Sequence, residues 1–145
     1  MHEADELRAK IEIAELITRY ATLNDTENWQ AVADLYIEHG RMSRPTAPDE
    51  FVLGRAAILA AFLARPRRAT RHVVANVLVS LRDETHASAA SQVLLYIGSF
   101  AGDGGLPLPP ASGPLIGSFR DQLIKTDLGW RFQERRGSLD FRAAG

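Results

Sequence analysis

The sequence predicts an α+β fold in one domain spanning 1–145, with helices gathered on one face of a curved sheet. Three observations carry this. Apolar residues recur at helical spacing early in the chain and at strand spacing late in it. The helical segments are segregated from the long strands rather than alternating with them, which separates α+β from α/β. The chain has 145 residues, 46% of them hydrophobic, enough for one real core.

From about Ala4 to Leu23, Leu7, Ile11, Ala14, Ile17 and Ala21 follow helical spacing, and Ile13, Leu16, Tyr20 and Leu23 widen the stripe. Tyr20 is therefore expected inward, near the helix's end. Asn24-Asp25-Thr26-Glu27-Asn28 is a polar break that offers several N-caps. A second helix is predicted from Trp29 to Tyr36, ended by Gly40. Short strands at Arg41–Arg44 and Glu50–Leu53 flank the turn Pro45-Thr46-Ala47-Pro48-Asp49. Gly54 leads into a third helix, Arg55 to about Ala64, which stops before Pro66.

The rest reads as β. In the strand Thr70–Leu81, side chains alternate between faces. His72, Val74, Asn76 and Leu78 fall on one face; Arg71, Val73, Ala75, Val77 and Val79 fall on the other. A strand apolar on both faces is covered on both. The polar interruptions at His72 and Asn76 mark the place to look for chemistry. Ala87–Gly98 is the next strand. Ala101–Pro114 holds four Gly and four Pro and is predicted as a loop. Leu115–Thr126 and Trp130–Phe141 form a final hairpin across Asp127-Leu128-Gly129.

Composition excludes several classes. A net charge of −1 argues against binding nucleic acid by neutralising phosphates. The absence of Cys removes disulfide, thiolate and Cys–zinc chemistry and fits a cytoplasmic protein. The acidic N-terminus has no apolar segment typical of a signal peptide, and no apolar run is long enough to cross a bilayer. His2, His39 and His86 do not combine with a carboxylate at metal-ligand spacing, so no metal is expected. The arginines at 65, 67, 68 and 71, with no aromatic residues between them, read as a solvated rim.

Several motifs occur in this order: Arg19-Tyr20-Ala21, Asn24-Asp25, Asn28-Trp29, Gly54 with Ile58 and Phe62, Thr70 through Asn76, Asp121, and Gly129-Trp130-Arg131 with Arg135. With them the chain resembles the SnoaL-like group of the nuclear-transport-factor-2-like superfamily, whose relatives include ketosteroid isomerases and scytalone dehydratase. The resemblance covers nearly the whole chain. It implies a cystatin-like cone: a curved mixed or antiparallel sheet wrapped by three N-terminal helices around an apolar pocket. It also implies a homodimer, or a higher oligomer, through the outer sheet face.

The resemblance and the residues together name a candidate site. Asp25 matches the Asp of scytalone dehydratase's Asp-x-x-x-Trp segment, and His72 matches a pocket His of that enzyme. A carboxylate facing an imidazole fixes its tautomer and raises its basicity. The alternative is a helix-capping Asp25 and a hydrogen-bonded core His72. Tyr20 matches the oxyanion-holding Tyr of the isomerases, or else is an ordinary core Tyr. Asp121, on the same face as Gly117 and Phe119, lies near the isomerases' protonated Asp, but a structural partner for Arg or His is the preferred reading. Asn76 is expected to bind a ligand carbonyl or hydroxyl, or to be a satisfied buried amide. Asn76, Asp121, Arg44, Phe119, Trp29 and Tyr96 make up the expected substrate-binding set.

The pattern departs from both enzymes. Arg44 stands before Pro45 where the isomerases keep their general base. Asn24 replaces the Tyr before scytalone dehydratase's Asp. That enzyme's second His falls near Tyr96 or Ile97, where this chain has none. The expected function is a SnoaL-like isomerase, dehydratase or cyclase acting without a cofactor on a small, largely apolar carbonyl compound. The alternative is a non-catalytic binding or assembly module, like the small subunit of ring-hydroxylating dioxygenases.

Overall fold

The computed structural model describes residues 1–142. Helix α1 (Glu3–Asp25) begins with Glu3, Asp5 and Glu6, whose negative charge suits a helix N-terminus. It buries Ala9, Ile13, Leu16, Ile17, Tyr20, Ala21 and Asn24, a stripe at three- and four-residue steps. Leu7 and Ile11, expected on that stripe, are instead exposed. The helix meets the sheet along the side that Ile13 and Ile17 define.

Helix α2 (Trp29–Ala33) is capped by the Asn28 side chain, which accepts from the Ala31 N–H. It is shorter than the sequence predicts. Tyr36 and Gly40 belong to strand β1 (Tyr36–Arg44), not to a helix and its stop. The apolar run Leu35-Tyr36-Ile37 suits either state, and pairing with the last strand decides it. Gly40 is required for close approach instead. A Cβ there would sit 3.0 Å from the Ile37 carbonyl oxygen and 3.1 Å from that of Phe132. Strand β2 (Ala47–Leu53) returns antiparallel, starting three residues earlier than predicted. Gly54, at φ +93°, then opens α3 (Arg55–Leu63), which buries Ile58 and Phe62.

Strands β3 (Ala69–Leu81), β4 (His86–Gly98), β5 (Ser112–Thr126) and β6 (Gly129–Leu139) complete a sheet in the order β2-β1-β6-β5-β4-β3. The β1–β6 pair is parallel and the other neighbours are antiparallel, so the sheet is mixed. The three helices cover one face of it. Tyr36, Phe132, Ile13, Ile17, Ile58 and Leu123 are the largest fully buried hydrophobic side chains.

One departure in β3 changes how its faces are assigned. The pairing with β4 shifts between Ala75 and Leu78, and Asn76 has φ +52°. This is a β-bulge, one extra residue that reverses the alternation beyond it. Before it, Val74 faces the interior; after it, Val77, Val79 and Leu81 do, packed on the core. Val77 and Val79 therefore leave the outer face where simple alternation puts them. Leu78 takes their place outside, 72% exposed. Among the described residues, no helix is long and apolar enough to cross a membrane.

Candidate functional site

Between α1 and the concave side of the sheet lies a cavity of about 520 Å³, a volume suited to a small organic ligand. Its sheet wall is built by alternation: His72 and Val74 from β3, Val93, Leu95 and Ile97 from β4, Leu115, Gly117 and Phe119 from β5. Tyr20 and Asn24 from α1 and Phe62 from α3 close the other side.

The structure joins Asp25, the last residue of α1, to the start of β3. His72 Nδ1 lies 2.6 Å from Asp25 Oδ1. The Thr70 hydroxyl donates to the same oxygen at 2.9 Å, and the His72 backbone N–H donates to Oδ2 at 2.9 Å. An ionised carboxylate only accepts, so Nδ1 carries the proton. In the neutral ring Nε2 is then a lone-pair base. The three donors also offset the unfavourable placing of a carboxylate at a helix C-terminus. Asp25 does not cap α2, whose cap is Asn28.

Tyr20 is buried, yet its ring borders the cavity. Its hydroxyl lies 3.0 Å from that of Tyr36. Burial raises the pKa of Tyr20, partly countered by the Arg135 charge, so the hydroxyl keeps its proton. Burial holds Tyr36 well above its ordinary value too. Arg135 fills the space below. Its guanidinium carbon sits 3.9 Å from the Phe119 ring centre and 4.4 Å from that of Tyr20.

Asp121 lies behind Arg135 and does not line the cavity. Its Oδ1 is 3.3 Å from Arg135 Nε, but the alignment is too poor for a hydrogen bond, so the contact is one of charge. Burial pushes the Asp121 carboxyl up to about 6, against the pull of Arg135. This is the structural partnership with Arg preferred from sequence.

The other predicted residues divide. Phe119 and Arg44 line the cavity. Arg44 donates to the Ala61 carbonyl at 3.1 Å. Trp29 stacks on Phe62 with ring centres 5.2 Å apart, and borders a smaller cleft beside His72 instead of the main cavity. Tyr96 and Asn76 stand outside. Tyr96 pairs with Arg71 across the β3–β4 ladder and is 38% exposed. The bulge turns Asn76 outward, where its amide donates to Gln92. Ile97, the neighbour of Tyr96, occupies the cavity wall.

Arg65 and Arg68, expected on a solvated rim, are half-buried and line both the cavity and the cleft. Arg67 and Arg71 are exposed as expected. The signal was present in Arg65-Pro66-Arg67-Arg68: Pro66 stops the helix and leaves an extended segment whose side chains take different sides. Among the described residues, no group of three or more His, Asp or Glu is placed to hold a metal ion.

The comparisons agree with this architecture. A proposed scytalone dehydratase from Novosphingobium aromaticivorans DSM 12444 superposes with a TM-score of 0.79 at 22% identity, over 99% of this chain and 94% of that one. An NTF2-like protein with a cystatin-like fold from N. aromaticivorans gives 0.77 at 23% identity, over 95% and 86%. A proposed aromatic ring hydroxylase from N. aromaticivorans gives 0.77 at 20% identity, over 96% and 94%. At these identities the likeness is one of fold. No curated protein matches the sequence. The SnoaL-like domain family matches residues 5–136, and the chain belongs to that family.

Proposed function

We propose that the cavity is the active site of a cofactor-independent acid–base enzyme acting on a small, largely apolar carbonyl compound. One observation carries the reading: an Asp25–His72 pair at 2.6 Å opens onto a preformed, mainly apolar cavity. His72 Nε2 takes the proton alpha to the carbonyl. The C–H electron pair moves toward the carbonyl oxygen, and Asp25 stabilises the imidazolium that forms. Tyr20 donates a hydrogen bond to the enolate oxygen. Isomerisation, dehydration or ring closure each begins with that step.

The test is alpha-proton exchange in D2O, followed by NMR over a panel of aryl ketones and 1,3-dicarbonyl compounds. His72→Ala is expected to slow exchange roughly 10²–10⁴-fold. Asp25→Asn is expected to slow it as well, since Asn does not stabilise the imidazolium. Exchange unchanged in His72→Ala refutes the reading.

A second reading, a subunit-assembly module, draws on the likeness to the proposed aromatic ring hydroxylase. Activity that survives in His72→Ala and appears only with a partner subunit would favour it. We also propose that the outer sheet face self-associates. Val73, Leu78 and Tyr96 are exposed there, 51%, 72% and 38% respectively.

A further inference from the structure

The cavity wall has an uneven charge. Arg44, Arg65, Arg68 and Arg135 line it, and no Asp or Glu does. Arg135 is answered by Asp121 behind it. The other three form no salt bridge among the described residues. Glu27 borders the smaller cleft, but it is held by Arg67 from outside, at 2.8 Å. Arg65 and Arg68 therefore share the cleft with His72 and form no ion pair there; Glu27 offsets Arg65 only as the smallest of the charges acting on it.

Holding these cations together is costly. Arg65 is half-buried, and burial, then the charges of Arg68 and Arg44, lower it to about 10. Its guanidinium is kept in place by aromatic faces: it lies 5.8 Å from the Trp29 ring centre and 5.7 Å from that of Phe62. Arg44 lies 6.0 Å from the same Phe62 ring. Cations without an ion-pair partner on a cavity wall are relieved by an anion, and the planar guanidinium suits a carboxylate through paired hydrogen bonds.

We propose that the ligand of this cavity is an organic acid, whose carboxylate binds Arg65 and Arg68 beside His72 while its apolar body lies against Val74, Val93, Leu95 and Phe119. This deepens the function proposed above and rests on it for the cavity being a ligand site. Arg44, beside the same Phe62 ring, adds positive potential. A neutral ligand of the same shape keeps the apolar contacts and loses the charged ones.

Calorimetric titration at pH 8 tests this with three acid–amide pairs: cinnamate and cinnamide, 1-naphthoate and 1-naphthamide, biphenyl-4-carboxylate and its amide. At least one acid is expected to bind roughly tenfold tighter than its amide, the scale of a charge-assisted hydrogen bond. The Arg65→Gln/Arg68→Gln double variant is expected to bring that ratio to about one. The lysine double variant, Arg65→Lys/Arg68→Lys, keeps the charge and is expected to retain part of the preference. Arg82→Gln, in an exposed turn, is expected to retain it fully. An acid–amide ratio near one in the unmodified protein overturns the proposal. So does a preference that survives the glutamine variant in a protein with unchanged circular dichroism, or no binding by any of the six probes. Because binding is read and not turnover, failure here leaves the His72 exchange test standing on its own result.

Discussion

At the scale of single residues, the Asp121–Arg135 pair sets a pH dependence whose sign is fixed by burial. Burial raises the Asp121 carboxyl from its ordinary value of 3.8 to about 6 in the folded chain. Between those values the folded state binds more protons than the unfolded one, so this group's contribution to stability falls as pH rises through about 6. Asp121→Asn is expected to remove that slope. Arg135→Met deletes the charge that lowers the carboxyl and is expected to move the slope to higher pH. Urea unfolding at half-unit steps from pH 4.5 to 8 measures both. The sequence singled out both residues through the family resemblance, and offered Asp121 as either a substrate-binding residue or a structural partner; its place behind Arg135, out of the cavity, was not legible. Their misaligned contact depends on the rings of Tyr20, Phe119 and Phe132 packing around one guanidinium, which no local pattern shows.

At the scale of elements, the bulge at Asn76 is the main place where a pattern in the sequence misleads. A period of two has no way to register one inserted residue, and Val77, Leu78 and Val79 are apolar on whichever face they fall. Asn is one of the few residues that tolerates a positive φ, which is the local clue. Asn76→Val, with a β-branched side chain at φ +52°, is expected to cost about 1–3 kcal/mol in chemical denaturation. Asn76→Gly is expected to cost far less, since glycine adopts that backbone freely. Equal losses for the two variants would mean that the Asn76–Gln92 hydrogen bond, not the backbone, holds the bulge. Helix α2 failed for a different reason. Its last predicted turn is claimed by the parallel pairing of β1 with β6, a contact between residues far apart in the chain.

At the scale of the whole molecule, the order of helices and strands was readable because each long element keeps its own apolar period. The pairing of Asp25 with His72 came from motif resemblance, since two residues so far apart in sequence share no local signal. The lining by Arg65 and Arg68 was missed because a basic run after a helix looks the same whether its side chains turn in or out. The proposed self-association has a direct consequence for the assembly. Leu78→Asp places a charge on the outer face without touching the core, and is expected to shift the protein toward monomer at micromolar concentration by analytical ultracentrifugation. An unchanged sedimentation distribution would show that this face is not the interface.

The clasp between α1 and β3 bears on solubility as well as on chemistry. Strand β3 is the last in the sheet, so part of its backbone faces outward with no further strand to pair with. Exposed strand edges are templates on which another chain can add. At His72 the outward N–H is already taken by Asp25 Oδ2. A side-chain carboxylate thus stands where the backbone of an invading strand would have to bind. The residue that steadies the proposed base also blocks the edge, joining protection against aggregation to the upkeep of the site.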